Sequence, residues 1–504
     1  MALIKKYSWP IIIGSIIIIG FLLRLLWLDQ KTLHHDESIH AYYSWILFKD
    51  WKYEYHPLSH GPVLYYFMAL CFKLFGVSDA TARLAPALFG TGLIALFLML
   101  KSHMKKQTVI ILMILVATSP MLVYVSRFAR HDMISLFCTA LIIFSTIKYL
   151  SSPKSIYVYL TVLSFALSYA NHELTYITFV VWAFALFFTV IFMPNKRKLW
   201  NYFKNRDIWH FGLALVFAIV IICLFFSSFG TFMEGIRRAL PNLNDPDSAL
   251  GYWKIQQEVK RGGQPWYFYF LTLPLYDIIP FILGSIGILI GMFQKNFAWK
   301  FTAIFAALTL FFYSFAGEKM PWLTIHSLLP LIIVSGFLID RFWPINNKLQ
   351  IPILVTMVFL FSITLVNMYR LCYLMPDNPK ELAVYVQTQP IVKQLSQKLE
   401  KYGKPVTLGT DLTWPYVWYL RDTQYNLTTS TSAPSDDFAL YSLDEVNAID
   451  ESQLDNFNKS TVYPFRSWWV PDVGWPGMGK FLNYYFLRVP WNKTGSYDFK
   501  YFEK

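Results

Sequence analysis

The chain has 504 residues, of which 55% are hydrophobic, 19% aromatic and 15% charged, with a mean hydropathy of +0.39; these values exclude an ordinary soluble globular protein. The net charge of +13 is uneven: residues 1–375 carry 31 Lys and Arg against 16 Asp and Glu, and residues 376–504 carry 13 against 15, so +15 and −2 make the total. Basicity confined to the apolar part fits cationic loops flanking membrane spans and argues against a nucleic-acid surface, while four cysteines lying singly in apolar stretches exclude a disulfide framework or zinc spacing.

Apolar blocks of about 17 to 22 residues, long enough to cross roughly 30 Å of hydrocarbon, follow one another up to Arg370. The first, 8–28, begins after Lys5 and Lys6 and has no small-residue cleavage site, so it reads as an uncleaved span. Further spans are expected at 82–100, 108–124, 133–150, 156–170, 174–193, 208–229, 271–292, 301–316, 322–339 and 351–369, about eleven in all. Residues 156–193 would form a single helix about 57 Å long, nearly twice the hydrocarbon thickness, so a hairpin turning at Asn171-His172-Glu173 is expected. Lys5, Lys6, Lys101, Lys105, Lys106, Lys196, Arg197, Lys198, Lys204, Arg206, Lys295, Lys300, Arg341 and Lys348 then share one side, which the positive-inside rule makes cytoplasmic. The N-terminus is therefore expected in the cytoplasm. The long loop 29–81, the loop 230–270 and everything after 375 are expected outside. The fold class is an α-helical polytopic membrane domain, 1–375, followed by a small extracytoplasmic α/β domain, 376–504.

Within the first loop, 41–48 reads as an aromatic-rich amphipathic helix, and 62–75 has interfacial rather than spanning length. Residues 266–276, interrupted by Pro274, form another interfacial segment, and together these suggest a lipid-facing vestibule. Beyond 376 a helix is expected over 378–402, a strand over 405–409, a helix over 412–420 and a strand over 425–429. Residues 461–470 and 480–489 continue the pattern less clearly.

With sidedness set by basic residues alone, the acids form an independent test. Of the 16 in the first 375 residues, only Asp207 and Asp340 fall in cytoplasmic loops. Eight of the ten histidines, His34, His35, His40, His56, His60, His131, His172 and His326, lie on the outer face or at outer span ends. Longer outer loops collect polar residues of every kind, but Asp132, Glu173 and Glu318 occupy very short turns or span ends and so point to a functional cluster. The densest segment runs from His34 to His40 and contains His35, Asp36 and Glu37. Carboxylates at a helix start also serve as caps, and Asp132 before the span at Met133 has the same two readings. The turns His172-Glu173 and Glu318-Lys319 must bend somewhere and admit a purely structural role. His35, Asp36, His40, His131, Asp132, His172 and Glu173 mix imidazole and carboxylate ligands on one face. They admit a divalent ion, although their spacing matches no defined metal motif.

The Asp36-Glu37 pair, then His60-Gly61-Pro62-Val63-Leu64-Tyr65-Tyr66, then Ala82-Arg83-Leu84-Ala85-Pro86-Ala87-Leu88, resemble in content and order the GT-C superfamily of membrane glycosyltransferases. The nearest branches are the protein O-mannosyltransferases and the aminoarabinose transferases acting on lipid A. Residues 34–45, the turn at 318–322 and residues 414–422 are similar to an uncharacterised family associated with flippase activity in archaeal-type glycosylation. The resemblance implies a polyprenyl-phosphate sugar donor, Asp36 as catalytic base with Glu37 beside it, Asp132 as a second acidic site residue and Arg83 as a phosphate contact. His172, Glu173, Glu318 and Lys319 are carried over to the site, with His35, His40, His60 and His131 lining it.

Displacing a phosphate from an anomeric carbon needs a base for the acceptor proton, but the leaving group is already a stable anion. Positive charge must hold that phosphate. Arg83, Arg127, Arg130 and Lys319 fall at expected outer span ends, where any one of them could equally be a snorkelling charge. A divalent ion would do the same work, with His35, Asp36, Asp132, His172 and Glu173 as candidate ligands. The C-terminal region lacks the trefoil repeats of eukaryotic O-mannosyltransferases, so protein Ser/Thr as the acceptor is not supported, and its small α/β domain leaves the acceptor, whether lipid, glycan or protein, open. A flippase or transporter is the main alternative, predicting polar residues deep in spans and symmetry between halves; a non-catalytic assembly subunit is another.

Overall fold

The computed structural model describes residues 2–192, 207–259, 263–343, 348, 350–428, 436–472, 474 and 476–504. Lys196, Arg197, Lys198, Lys204 and Arg206, counted above among the basic loops, lie outside this set. The chain forms helices α1 (Ala2–Leu25), α2 (His35–Asp50), α3 (Val63–Phe75), α4 (Asp79–Leu96), α5 (Lys106–Thr118), α6 (Pro120–Ser126), α7 (Asp132–Ser151), α8 (Ser155–Tyr169), α9 (Leu174–Ile191) and α10 (Asp207–Phe226). After two short helices, α11 (Glu234–Ala239) and α12 (Ala249–Val259), come α13 (Phe268–Tyr276), α14 (Ile278–Gly291), α15 (Phe297–Phe315), α16 (Thr324–Phe342) and α17 (Gln350–Tyr369).

Within the described residues every apolar block is largely helical, the one expected at 271–292 being broken at Asp277 between α13 and α14. Among the described residues seven helices are long and apolar enough to cross a membrane, α5 and α6 taken together would make an eighth span bent by 55°, and Trp9–Leu25, Val63–Phe75, Ser155–Tyr169 and Ile278–Gly291 are shorter apolar helices. The bend falls where Ser119 caps α6 and Pro120, with no N–H to give, takes its first position. The hairpin at Asn171-His172-Glu173 separates α8 from α9 as the length argument requires. α16 lies at the centre, its apolar window 94% buried, whereas α10 and α17 bury only 11% and 17% of theirs and present apolar side chains outward. Gly284 and Gly287 let α14 close on α16: a Cβ at Gly284 would stand 2.8 Å from Leu331 Cδ2.

The C-terminal region is a six-stranded mixed sheet in the order β1-β5-β6-β4-β2-β3, with β1 Gln387–Thr388, β2 Val406–Gly409, β3 Tyr425–Thr428, β4 Phe438–Ser442, β5 Lys459–Trp468 and β6 Gly495–Glu503. β2 runs parallel to β3 and β4; the remaining pairs are antiparallel. Val392, Leu395 and Leu399 of α18 (Pro390–Tyr402) pack on Val406, Leu408 and Phe465 of the sheet. The helix expected from 378 begins only at Pro390, because Pro379 and Pro390 confine the intervening chain to turns and the short β1.

The sheet is fastened to one end of the helical part. Asp79, at the start of α4, accepts from Trp418 Nε1 (2.9 Å), Tyr419 OH (3.1 Å) and Lys393 Nζ (2.7 Å). Glu381 accepts from Tyr276 OH and Arg488 Nε, both at 2.8 Å.

Candidate active site

The site is built on the turn that opens α2. His34 caps the helix: its Nδ1 accepts from Asp36 N (3.1 Å), while Glu37 Oε2 accepts from His34 N (2.9 Å). Helical geometry then sends the two neighbouring carboxylates in different directions. Glu37 is fully buried and takes two hydrogen bonds of 2.7 Å from the Arg83 guanidinium and one of 2.8 Å from Ala129 N. Burial alone would raise its pKa, but the cations of Arg83 and Lys31 outweigh this and hold it below the ordinary carboxylate value. Arg83 gives its remaining N–H groups to the carbonyls of Leu28, Lys31 and Thr32. All five donors are engaged, so the geometry corrects two expectations: Arg83 has none left for a phosphate, and Glu37 is sealed from any substrate.

Asp36 stays accessible instead, its side chain 25% exposed and paired with Arg130 Nη1. The same guanidinium donates from Nε to Asp132 Oδ2 (3.2 Å) and lies over the Trp322 ring, 4.3 Å from its centroid. Asp132, at the start of α7, is fully buried, and its Oδ1 faces His326 Nε2 of α16 at 3.8 Å. Arg130 therefore joins the two carboxylates that the sequence places in separate loops.

A second polar group adjoins the first. Gly61 N donates to Asn171 O (3.1 Å) and Val63 N to Ala170 O (3.1 Å), stapling the start of α3 to the α8–α9 turn. A Cβ at Gly61 would stand 2.4 Å from Ala170 O, so only glycine permits the contact. This brings His60 Nδ1 to 2.8 Å and His172 Nδ1 to 3.3 Å from Glu173 Oε2, with the imidazoles stacked 4.2 Å apart. Burial would lower the His60 pKa, yet Glu173 more than offsets it and the value is raised. Burial takes His172 down to about 3. His131, whose ring lies 5.4 Å from His60, and His40, 4.8 Å from His131, complete a chain of imidazoles directed at Gly61 O and Ala129 O respectively.

A cleft opens over this constellation, lined by Arg130, His60, His172, Glu173 and Glu318, with Tyr252, Trp253 and Gln256 of α12 along one wall and Tyr313 and Trp322 along another. Of the four cations expected to hold a phosphate, Arg130 alone lines it. Arg127 is spent on the carbonyls of Leu26 (2.7 Å) and Trp27 (2.9 Å) at the end of α1, and Lys319 Nζ donates to Ala316 O (2.7 Å). His35 lies half-buried in the first turn of α2, beside Asp36. The contribution of α12 was not foreseen, although Tyr252, Trp253, Gln256 and Gln257 recur at one-turn spacing in a way that could have signalled a site-facing helix. His326 was noted only for the side on which it falls.

Among the described residues, His60, His172 and Glu173 are the one group of three whose ligand atoms lie close enough for a metal, all within 4.8 Å. His35, Asp36 and Asp132, expected as ligands, stand apart from it. A metal takes an imidazole lone pair in the ring plane, and rings stacked at 19° cannot both aim at one ion, so one would have to turn. His172 Nδ1 also accepts from Leu174 N (3.2 Å). As it stands, the group fits a histidine–carboxylate hydrogen-bond relay better than an ion cage.

No curated protein matches the sequence. Residues 59–226 match the family model for dolichyl-phosphate-mannose-protein mannosyltransferase. ArnT from Cupriavidus metallidurans, solved bound to undecaprenyl phosphate, superposes with a TM-score of 0.63 at 13% identity, covering 88% of this chain and 94% of that one. The archaeal oligosaccharyltransferase AglB from Archaeoglobus fulgidus, solved with an inhibitory peptide and a dolichol-phosphate, superposes with a TM-score of 0.55 at 12% identity, over 84% of this chain and 64% of its own. The chain thus shares the polytopic helical fold of these membrane proteins over most of its length and matches the mannosyltransferase family model over residues 59–226.

Proposed function

We propose that the protein transfers a sugar from a polyprenyl-phosphate carrier to an acceptor hydroxyl on the extracytoplasmic face of the membrane, with inversion. The observation that carries this reading is the division of labour at α2: Asp36 is open and paired to the arginine of the cleft, while Glu37 is sealed. An incoming carrier phosphate competes with Asp36 for Arg130, and once the guanidinium turns to the phosphate Asp36 is free to accept a proton. The acceptor O–H proton passes to Asp36 as the acceptor oxygen bonds the anomeric carbon from the face opposite the phosphate. The carbon–oxygen bond to the phosphate breaks, its electron pair leaving with the carrier phosphate, which Arg130 holds.

Asp132 is a positioning residue that anchors Arg130 Nε, and Glu37 with Arg83 fixes the turn on which Asp36 sits. Tyr252, Trp253 and Gln256 offer ring faces and an amide to the sugar. The likeness of fold to proteins solved with undecaprenyl phosphate and dolichol-phosphate supports the donor class. A wide apolar groove among α8, α9 and α10, lined by Tyr157, Phe165, Phe179 and Trp182, reaches Tyr176, one turn from Glu173, and suits a polyprenyl tail.

The test is to incubate purified protein with a panel of polyprenyl-phosphate sugars and measure release of carrier phosphate together with glycosylated product. Asp36→Asn is expected to lower turnover by about 10² to 10⁴. Turnover untouched by Asp36→Asn and Asp132→Asn would refute the site, and absence of turnover across the panel would leave the enzyme reading without support. A flippase would move the donor between leaflets with the sugar–phosphate bond intact, which the same assay detects.

A further inference from the structure

Around the Arg83–Glu37 pair, in a second cleft that shares no lining residue with the first, positive charge accumulates without matching acid. Arg24, Lys31, Arg83 and Arg127 are all buried, and among the described residues Glu37 is the one carboxylate in an ion pair with any of them. Arg24 spends its donors on the carbonyls of Gly20, Val116 and Ala117 and on Ser126 Oγ. Arg127 likewise caps the carbonyls at the end of α1.

Lys31 is different. Its ammonium carries three donors but makes one long hydrogen bond, to Tyr124 OH at 3.4 Å, and otherwise faces the rings of Tyr124 (4.8 Å) and Phe128 (4.5 Å). Ring faces attract a cation, but they do not replace the hydrogen bonds of a desolvated ammonium. Burial accordingly pulls its pKa down to about 8. Asp377, partly exposed, acts on Lys31 through space without forming an ion pair. Four cations against Glu37 and Asp377 leave a surplus of two positive charges.

Lys31, Arg83 and Arg127 line one small cleft with Leu28, Tyr124 and Cys372. It lies between the end of α1 and the single π turn, Arg370–Leu374, that follows α17; Gln30 Nε2 donates to Tyr373 O (3.0 Å) across this seam. Leu26, Trp27, Leu374 and Met375, at the ends of these two apolar helices, are 44%, 63%, 56% and 45% exposed. An unneutralised cation beside an apolar skirt at a helix end matches a molecule with a phosphate at one end and a hydrocarbon chain at the other.

We propose that this cleft binds the phosphate monoester headgroup of a lipid, with Lys31 donating to its oxygens and the chain lying along α1 and α17. A monoester near neutral pH carries close to two negative charges, which equals the surplus; a phosphodiester would leave one cation unmatched. Arg83 supplies field rather than contacts, because carbonyls and Glu37 already take all five of its N–H groups, while Arg127 gives Nη1 and Nη2 to carbonyls and adds its charge. The site shares no lining residue with the Arg130 cleft and does not depend on the transfer reaction.

The full chain reconstituted in phosphatidylcholine nanodiscs containing a minor fraction of phosphatidic acid tests this, with retained lipid read by native mass spectrometry and stability by thermal unfolding. Wild type, Lys31→Arg and Arg130→Ala are expected to retain phosphatidic acid selectively. Lys31→Met should retain it about tenfold less or worse, while melting no lower than wild type in phosphatidylcholine alone. Lys31→Gln serves where Lys31→Met fails to fold. Selective retention unchanged by loss of Lys31, or no preference over phosphatidylcholine in wild type, overturns the site. Stabilisation by inorganic phosphate equal to that by phosphatidic acid overturns the lipid source. A polyprenyl phosphate added in place of phosphatidic acid carries the same headgroup, and Lys31-dependent retention of one over the other tells which lipid the cleft takes.

Discussion

Asp36 and Glu37 are adjacent in sequence, but their surroundings give them different tasks. The Glu37 carboxylate accepts four hydrogen bonds in a site with no exposure, two of them from Arg83. Replacing it with an amide leaves a buried guanidinium without its anion, and Glu37→Gln is expected to cost about 3 to 5 kcal/mol of stability. Asp36→Asn should change stability by less than about 1 kcal/mol, because a part-exposed pair is worth little. Thermal or denaturant unfolding of both variants in one detergent separates them, and equal losses would mean that the two carboxylates are not divided in this way. The sequence made the pair visible but not the division, which depends on an arginine 46 positions away. His60 and His172 yield a similar expectation: since their stacked rings do not aim at one ion, a chelator should leave the transfer rate unchanged, and loss of rate restored by a divalent ion would show that a ring turns to bind one.

At the scale of elements, the short turns between spans bring the buried histidines together. Burial holds His40 at about 4, His172 at about 3 and His131 well below its ordinary value of 6.5. Below pH 6.5 the unfolded chain takes up protons that these three refuse in the fold, so their effect is a loss of stability as pH falls. His60 acts oppositely: its raised pKa contributes stability that is complete below 6.5 and lost as pH rises through the folded value. Glu173, held below its ordinary 4.5, contributes above 4.5 and loses that contribution only in stronger acid. Three groups against one predict that the melting temperature falls between pH 7.5 and 5, by roughly 5 °C or more. A melting temperature that is flat or rising over that range would contradict the buried neutral histidines, and His131→Gln should reduce the slope. These turns were legible because their polar residues interrupt long apolar runs whose length forbids a single helix. β4 was not legible: Phe438–Ser442 is buried on both faces, so it lacks the alternation that marks a half-exposed strand. The α12 wall of the cleft is only half legible: the one-turn spacing of Tyr252, Trp253, Gln256 and Gln257 marks a polar-aromatic face, but nothing local in residues 230–270 says which distant site that face meets.

For the whole molecule, the two ends of the helical part differ in chemistry. One end carries the sheet, the histidine-rich cleft and the Asp79 and Glu381 anchors. The other is basic: Lys105 donates from its backbone N to Asp340 Oδ1 (2.6 Å) and from Nζ to Asp340 O (2.9 Å), and Lys148 Nζ reaches Ser102. By the positive-inside rule such an end is expected in the cytoplasm, and the sheet and Asp36 would then face outward, as the proposed transfer requires. Cysteines introduced at exposed positions on the two ends test this directly. With a membrane-impermeant maleimide on intact cells, Lys401→Cys on α18 should be labelled above the wild-type background, and Lys101→Cys only after the membrane is opened. The native cysteines give little background, since Cys71, Cys138 and Cys372 are buried and Cys223 lies within α10. Labelling in the reverse order would turn the cleft toward the cytosol and with it remove the outer-leaflet donor from the reaction.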